Sequence, residues 1–309
     1  MLNSTSLDAM IRCACAFLFT NFFTVTLLHT QIMNEAGIRL PLPGARAAGL
    51  ADAYAAEVSD AAVMYWNPAS APFLDHSAVI LDHYHESQTG VMNDVVATSV
   101  HVTDEDAITL GGDLSHLGYL ASSRSSGLRA IQSGLHLGYA RILYPGVSVG
   151  LTATANYIDL QENRRWTSSW MAGLTYFPSP EISYGLVFRD VVHGAQVEQS
   201  SVAVREELPR RLEMGISMRY PVSRARRIVT ISLGNEKFFG ESGLLYKGGV
   251  ELYPIPFLAL RWGYLAGPDI AEPRYGLGVR TEAVQLDFAI SPKRDDVQFQ
   301  QVTLSVSLK

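Results

Sequence analysis

The chain has 309 residues, 48% of them apolar and 17% charged, with a net charge of −6. A helical membrane protein needs several apolar runs of about 20 residues, and a mean hydropathy of +0.10 with one such run excludes that class. No nucleic-acid partner is expected at this charge. The length suits one large β domain or two small ones.

The apolar run lies near Phe17 to Leu28 and follows Arg12. That is the basic region and short apolar region of an export signal, and Met10 makes a more usual start than Met1. Cleavage is expected between Thr30 and Gly37, which assigns residues 1–36 approximately to the signal. An uncleaved anchor helix is the alternative. Both cysteines, Cys13 and Cys15, fall in this region, and neither sits in a lipoprotein acylation context. The exported part then holds no cysteine, which excludes disulfide staples, thiol catalysis and cysteine-based zinc sites. Such a chain can cross an oxidising compartment unfolded without crosslinking.

Residues 37–76 differ from everything that follows. Gly44 to Pro72 is rich in small residues and ends in Tyr65-Trp66-Asn67-Pro68-Ala69. Small side chains let backbone segments approach closely and lose little rotamer entropy. Pro68 fixes its own φ and biases Asn67 toward an extended backbone. The Asn67 side chain can bond its own backbone, so Asn67-Pro68-Ala69 is expected as a rigid corner. A soluble helix with a loop is the other reading of this stretch.

From Ser77 onward the pattern has period two. Alternating segments are expected at 77–86, 92–103, 106–116, 132–143, 146–159, 166–178 and 180–190. They continue at 208–221, 226–236, 243–254, 256–266, 273–282, 283–291 and 299–308. A bilayer offers backbone groups no water, so a spanning sheet must close on itself. The even count suits a bacterial single-chain barrel, apolar outside and small or polar inside. In 283–291, Val284, Leu286, Phe288 and Ile290 are expected to face lipid, with Gln285, Asp287, Ala289 and Ser291 facing inward. The fold class is therefore all-β, an antiparallel transmembrane barrel of about 14 strands with an N-terminal plug segment. Tyr144-Pro145, Phe177-Pro178 and Tyr253-Pro254 mark tight turns, and their aromatics are expected in an interfacial girdle. Longer connections alternate with these turns, at 117–131, 161–166, 191–207 and 267–272.

The inward-facing list mixes signs: His136, Asp159, Glu213, Arg219, Lys247, Glu251, Arg261, Arg280 and Asp287. Opposite charges in a narrow interior are expected to pair, because an unpaired buried charge is costly. The alternative is that Arg219, Arg261 or Arg280 receives a ligand carboxylate, which guanidinium binds bidentately. Inward glycines at 150, 173, 185, 215, 249, 263 and 278 leave room for a plug or relieve strand curvature. Arg46 and Asp60 are expected to pair with lumen charges. No hydrolase, zincin, Walker or dinucleotide motif occurs. His83 and His85 share a strand face, but a metal needs further ligands that the sequence does not place. No catalytic residue, metal or cofactor is expected.

Gly44-Ala45-Arg46-Ala47-Ala48-Gly49, then Asp60, then Tyr65-Trp66-Asn67-Pro68-Ala69, resembles the N-terminal segment of FadL-type outer-membrane barrels. The Trp before Asn-Pro-Ala is similar to the PorV/PorQ branch. The resemblance implies a hatch at 37–76 inside a fourteen-stranded barrel at 77–309, in the outer membrane of a diderm bacterium. It implies passage of hydrophobic small molecules, with outer-membrane lipid as surroundings. The PorV-like alternative is a component of type IX secretion that binds exported protein partners. A rim lipid hydrolase is a third reading.

Overall fold

The computed structural model describes residues 42–87, 90–117, 130–160, 163–190, 210–223, 226–240, 242–268, 270–292 and 298–308. The chain divides into two units, Met1–Gly37 and Ile38–Lys309. The first holds the expected signal and both cysteines and lies outside the described residues, as do most of the connections expected at 117–131 and 191–207.

Fourteen strands form one closed antiparallel barrel. They are β1 Ser77–Glu86, β2 Val91–His101, β3 Asp106–Leu117, β4 Ala130–Tyr144, β5 Val147–Leu160, β6 Asn163–Ser179 and β7 Ile182–Arg189. The rest are β8 Arg211–Ser223, β9 Arg226–Phe238, β10 Leu245–Ile255, β11 Leu258–Ala266, β12 Ala271–Arg280, β13 Val284–Pro292 and β14 Gln298–Leu308. Each strand pairs with its sequence neighbours, and β1 closes on β14 from Ser77↔Leu308 to Glu86↔Phe299. Closure leaves no strand edge unpaired, which the membrane interior requires.

Alternation decides which side chain faces where. In β13, Val284, Leu286 and Phe288 are exposed on the outside, while Asp287, Ala289 and Ser291 are buried. The outer wall carries Leu135, Leu137, Leu151, Leu260, Trp262 and Leu286, all exposed. The inner wall carries buried Ser99, Thr109, Ser148, Thr152, Thr175, Ser183, Ser217 and Ser232. An apolar exterior around a polar interior is the inverse of a water-soluble barrel. The connections 102–105, 145–146, 180–181, 256–257 and 281–283 share one end of the barrel with both chain ends of the sheet.

The girdle expectation needs correction at two of its three aromatics. Tyr144 is exposed at the short-turn end. Phe177 instead packs at 5.3 Å from Phe73 and 5.6 Å from the Arg219 guanidinium, and Tyr253 is buried. Their strand phase turns both rings inward. The outward aromatics near that end are Tyr176 and Tyr184, stacked at 5.9 Å, with Tyr220 and Phe257 exposed as well.

Residues 42–76 lie within the barrel rather than beside it. A short helix α1 (Ala45–Gly49) and a helical turn α2 (Val63–Trp66) precede a 3₁₀ turn, Pro68–Phe73, that leads into β1. Neither helix is long enough to be stable alone. Most residues of the segment are buried, with Tyr54, Leu50, Val63, Met64 and Trp66 among the most enclosed side chains of the protein.

Candidate functional site

The candidate site is the contact between this inner segment and the barrel wall. Inward glycines make the contact possible. A Cβ at Gly150 would sit 2.6 Å from the Ala69 nitrogen, and one at Gly185 would sit 1.9 Å from the Ala55 carbonyl oxygen. Gly173 faces Asn67 and Pro68, Gly215 faces Ala55 and Ala56, and Gly249 and Gly263 face Leu50 and Ala51. Gly278 differs from the other six, since it faces Asp287 and Arg261 of the wall. Gly111 and Gly276, which the strand pattern did not single out, face Tyr65 and Gly49.

Electrostatics holds the segment in two places. The first is a line of six alternating charges. Asp287 meets Arg261 at 2.7 Å, and Arg261 meets Glu251 at 2.7 Å. Glu251 accepts two bonds from Arg46, at 2.9 and 2.7 Å. Arg46 then faces Glu57 at 3.5 Å, and Glu57 faces Arg219 at 3.5 Å. Arg46 and Glu57 belong to the inner segment and the other four to the wall, so each side is neutral and the two interlock. The other Glu57 oxygen accepts from Ser217 and from Ser232, the latter at 2.7 Å. Burial alone would raise the Glu57 pKa, but Arg219 and Arg46, with both hydroxyls, hold it below the ordinary carboxylate range.

The second line runs along the wall. Asp190 pairs with Arg211 at 3.2 Å, Arg211 with Glu236 at 3.4 Å, and Glu236 with Lys247 at 2.9 Å. Lys247 meets Glu213 at 2.7 Å, and Glu213 meets Arg189 at 3.2 Å. Arg189 ends the line by donating to the Tyr65 carbonyl and to the Trp66 carbonyl, the latter at 2.7 Å. The guanidinium thereby satisfies carbonyls at the C-terminal end of α2, where the backbone has no further helical partner.

The motif residues take these positions. Gly44 has φ 113, a conformation L side chains rarely adopt, and its N–H donates to Asp82 at 3.1 Å. Gly49 brings α1 against Gly276, where an added Cβ would stand 3.0 Å from backbone. Trp66 donates its ring N–H to the Pro43 carbonyl at 2.9 Å. Asn67 is extended, as Pro68 dictates, with φ −154 and ψ 101. Its side-chain amide donates to the carbonyl of Ala55 at 2.8 Å and to Thr175 at 3.0 Å, and its oxygen accepts from the Ala69 N–H at 3.1 Å. Pro68 opens the 3₁₀ turn, where a missing N–H costs nothing. The Tyr65 ring lies edge-on to His136 at 4.7 Å.

Asp60 departs from expectation. It accepts from the Tyr54 hydroxyl at 2.7 Å and from the Ala62 N–H at 2.9 Å, both within the segment. Its position in a tight turn of the segment brings it to local donors instead of a lumen cation. The three arginines offered as an alternative site for a ligand carboxylate are engaged within the protein. Arg219 and Arg261 belong to the first charge line, so a ligand carboxylate there would have to displace Glu57 or Asp287. Arg280 lies over the Tyr253 ring at 4.2 Å and donates to the Pro256 carbonyl at 3.0 Å, at the short-turn end. Sequence reading missed Glu57, Arg189, Arg211 and Glu236. Glu57 lies in a segment with no periodicity, and the others lie near strand ends, where facing is hardest to assign. Among the described residues no three His, Cys, Asp or Glu side chains converge as a metal site would require.

The closed ring, the apolar exterior and the filled polar interior define a transmembrane β-barrel with fourteen strands. Solved FadL-type barrels share this fold. The chain is similar to the Ralstonia pickettii toluene transporter TbuX at 14% identity, with 85% of this chain and 96% of that chain covered and a TM-score of 0.61. It is similar to the Pseudomonas putida toluene transporter TodX at 12% identity, covering 86% and 96%, with a TM-score of 0.57. A Pseudomonas aeruginosa FadL homologue aligns at 10% identity, covering 87% and 99%, with a TM-score of 0.54. At these identities the likeness is one of fold. No family model and no curated protein sequence matches the chain.

Proposed function

We propose that the protein passes hydrophobic small molecules across the outer membrane of a diderm bacterium. In this reading residues 1–36 are the export signal, 37–76 the hatch and 77–309 the barrel. The observation that carries it is the fixing of the inner segment. Hydrogen bonds and ion pairs, none of them covalent, hold it to the wall, and the strands pair with one another independently of it, so the ring does not need the seated segment to stay closed. The fold shared with two toluene transporters supports the same reading. Outer-membrane lipid surrounds the wall, and the reading assigns no catalytic residue and no cofactor.

Uptake of radiolabelled toluene by diderm cells with an intact lipopolysaccharide outer leaflet, with and without the protein, tests it. Faster uptake by the cells that carry the protein is expected. Equal rates in the two would refute passage. The second reading, a PorV-like secretion component, has one observation in its favour, the Tyr65–Ala69 sequence at the hatch corner. Stable co-purification with exported proteins, without toluene uptake, would put it in place of the first.

A further inference from the structure

The wall does not hold the inner segment equally all round. β6 to β10 each hold it, through Thr175, Arg189, Ser217, Ser232 and Glu251. β12, β14 and β1 do so through Arg274, Thr303 and Asp82. β11 and β13 each stand between two of these strands. β3, β4 and β5 are different. They stand side by side, and among the described residues none of their groups bonds the segment. Their inward polar side chains turn to the wall instead. His136 lies 2.5 Å from Asp113 and 2.9 Å from Thr154, and Ser148 donates to the Arg141 carbonyl at 3.0 Å.

The 3₁₀ turn Pro68–Phe73 packs over these strands. It is tied to β6 at Asn67 and Ser70, which both meet Thr175 at 3.0 Å, and it runs through Leu74 into β1. Between those ties its contact with β3 and β4 is apolar. Ala107 and Ala140 share one buried cluster with Met64, Ala71 and Leu74.

The same seam leaves three hydroxyls without a partner. Tyr65 of the segment, Thr109 of β3 and Thr152 of β5 are buried, and no described group bonds their oxygens. Thr109 and Thr152 flank Gly138 across the strand register, and both lean into the space its missing side chain leaves. Ser99 adjoins Thr109 and extends the row. Thr230 and Ser305 share this state elsewhere, but Ser232 and Thr303 on the same strands hold the segment directly. A buried hydroxyl without a partner has lost its water bonds and gained none, and that cost ends when the site is wetted.

We propose that the barrel opens first along the seam between the segment and β3–β5, with the stretch from Ala71 to Asp75 moving on its two ties. Opening there breaks no hydrogen bond between segment and wall, and it relieves the orphan hydroxyls. Opening anywhere from β6 to β10 severs the bonds named above. The proposal rests on the passage reading and adds the route. An apolar molecule entering the seam replaces the contacts of Ala107 and Ala140, whereas it has nothing to offer the charged groups on the other side.

Thiol labelling in outer-membrane fragments tests the seam without any ligand. The background is Cys13→Ser with Cys15→Ser, which leaves no other thiol. Ala140→Cys puts a thiol on β4 at the seam. Ala289→Cys puts one on β13 against Ala45 and Ala48, where the segment is held on either side. Both alanines are buried. A charged methanethiosulfonate is expected to label Ala140→Cys at least about tenfold faster, because labelling follows the population of the open form. Thr109→Val with Thr152→Val removes two orphan hydroxyls at nearly unchanged shape and is expected to slow Ala140→Cys labelling several-fold. Thr175→Val unties Asn67 and Ser70 and is expected to speed it. Heat-modified gel mobility reports that each variant is folded. Equal labelling at the two positions, faster labelling at Ala289→Cys or none at either overturns the proposal. So does a folded double-valine variant that labels as fast as its parent or faster. Labelling confined to the seam, in a chain that gives cells no faster toluene uptake, would keep the opening and remove passage. Toluene uptake with equal labelling would do the reverse.

Discussion

Arg46→Met cuts the first charge line at the link between segment and wall. With Arg46 gone, Glu251 keeps Arg261 and Glu57 keeps Arg219, Ser217 and Ser232. Three acids then share two guanidiniums in a space where Glu57, Glu251 and Asp287 are all buried. Removing one partner of a buried ion pair costs roughly 3–5 kcal/mol. The partners retained here place this case near the low end. A cost of about 3 kcal/mol is a factor of about a hundred in an equilibrium constant. The cost falls on the seated segment, because the barrel hydrogen bonds are untouched. Single-channel recording in planar bilayers is expected to show a rise in conducting events of about that factor. Arg46→Met with Glu251→Gln leaves two neutral pairs, Asp287–Arg261 and Glu57–Arg219, and is expected to return most of the way to the parent. Unchanged conductance in the single variant, or equal conductance in single and double variants, would refute the reasoning.

Three further outcomes follow from the same geometry. Glu57 has a depressed pKa in the folded protein. Its contribution is complete above the ordinary carboxylate value of about 4.3 and is lost only as pH falls through the lower folded value. Conductance is therefore expected to stay flat from pH 7 to about 5, and a rise within that window would count against Glu57 as an anchor. Gly185→Val places a side chain into the Ala55 carbonyl and is expected to cost about 1–3 kcal/mol, read as a lower midpoint of heat-modified gel mobility. Leu137→Arg puts a charge on the exposed outer face of β4 and is expected to destabilise the barrel by about 2–4 kcal/mol, read by denaturant unfolding in lipid.

The amino-acid sequence by itself determined the strands and their facing. Period two is a local property, because successive side chains must point to opposite sides, so Asp287 inward and Phe288 outward could be read without coordinates. Pro68 set the backbone of Asn67 in the same local way. The closure of β1 on β14 was implied by the bilayer, which tolerates no open edge. Only the tertiary structure decided who pairs with whom. Arg46 reaches Glu251, and Glu57 reaches Ser217 and Ser232, across separations that no periodicity encodes. It also decided that Asp60 serves the segment's own turn. The reason is physical. Facing depends on a residue's immediate neighbours, whereas ionic partnership depends on where distant strands stand once the ring has closed around the segment.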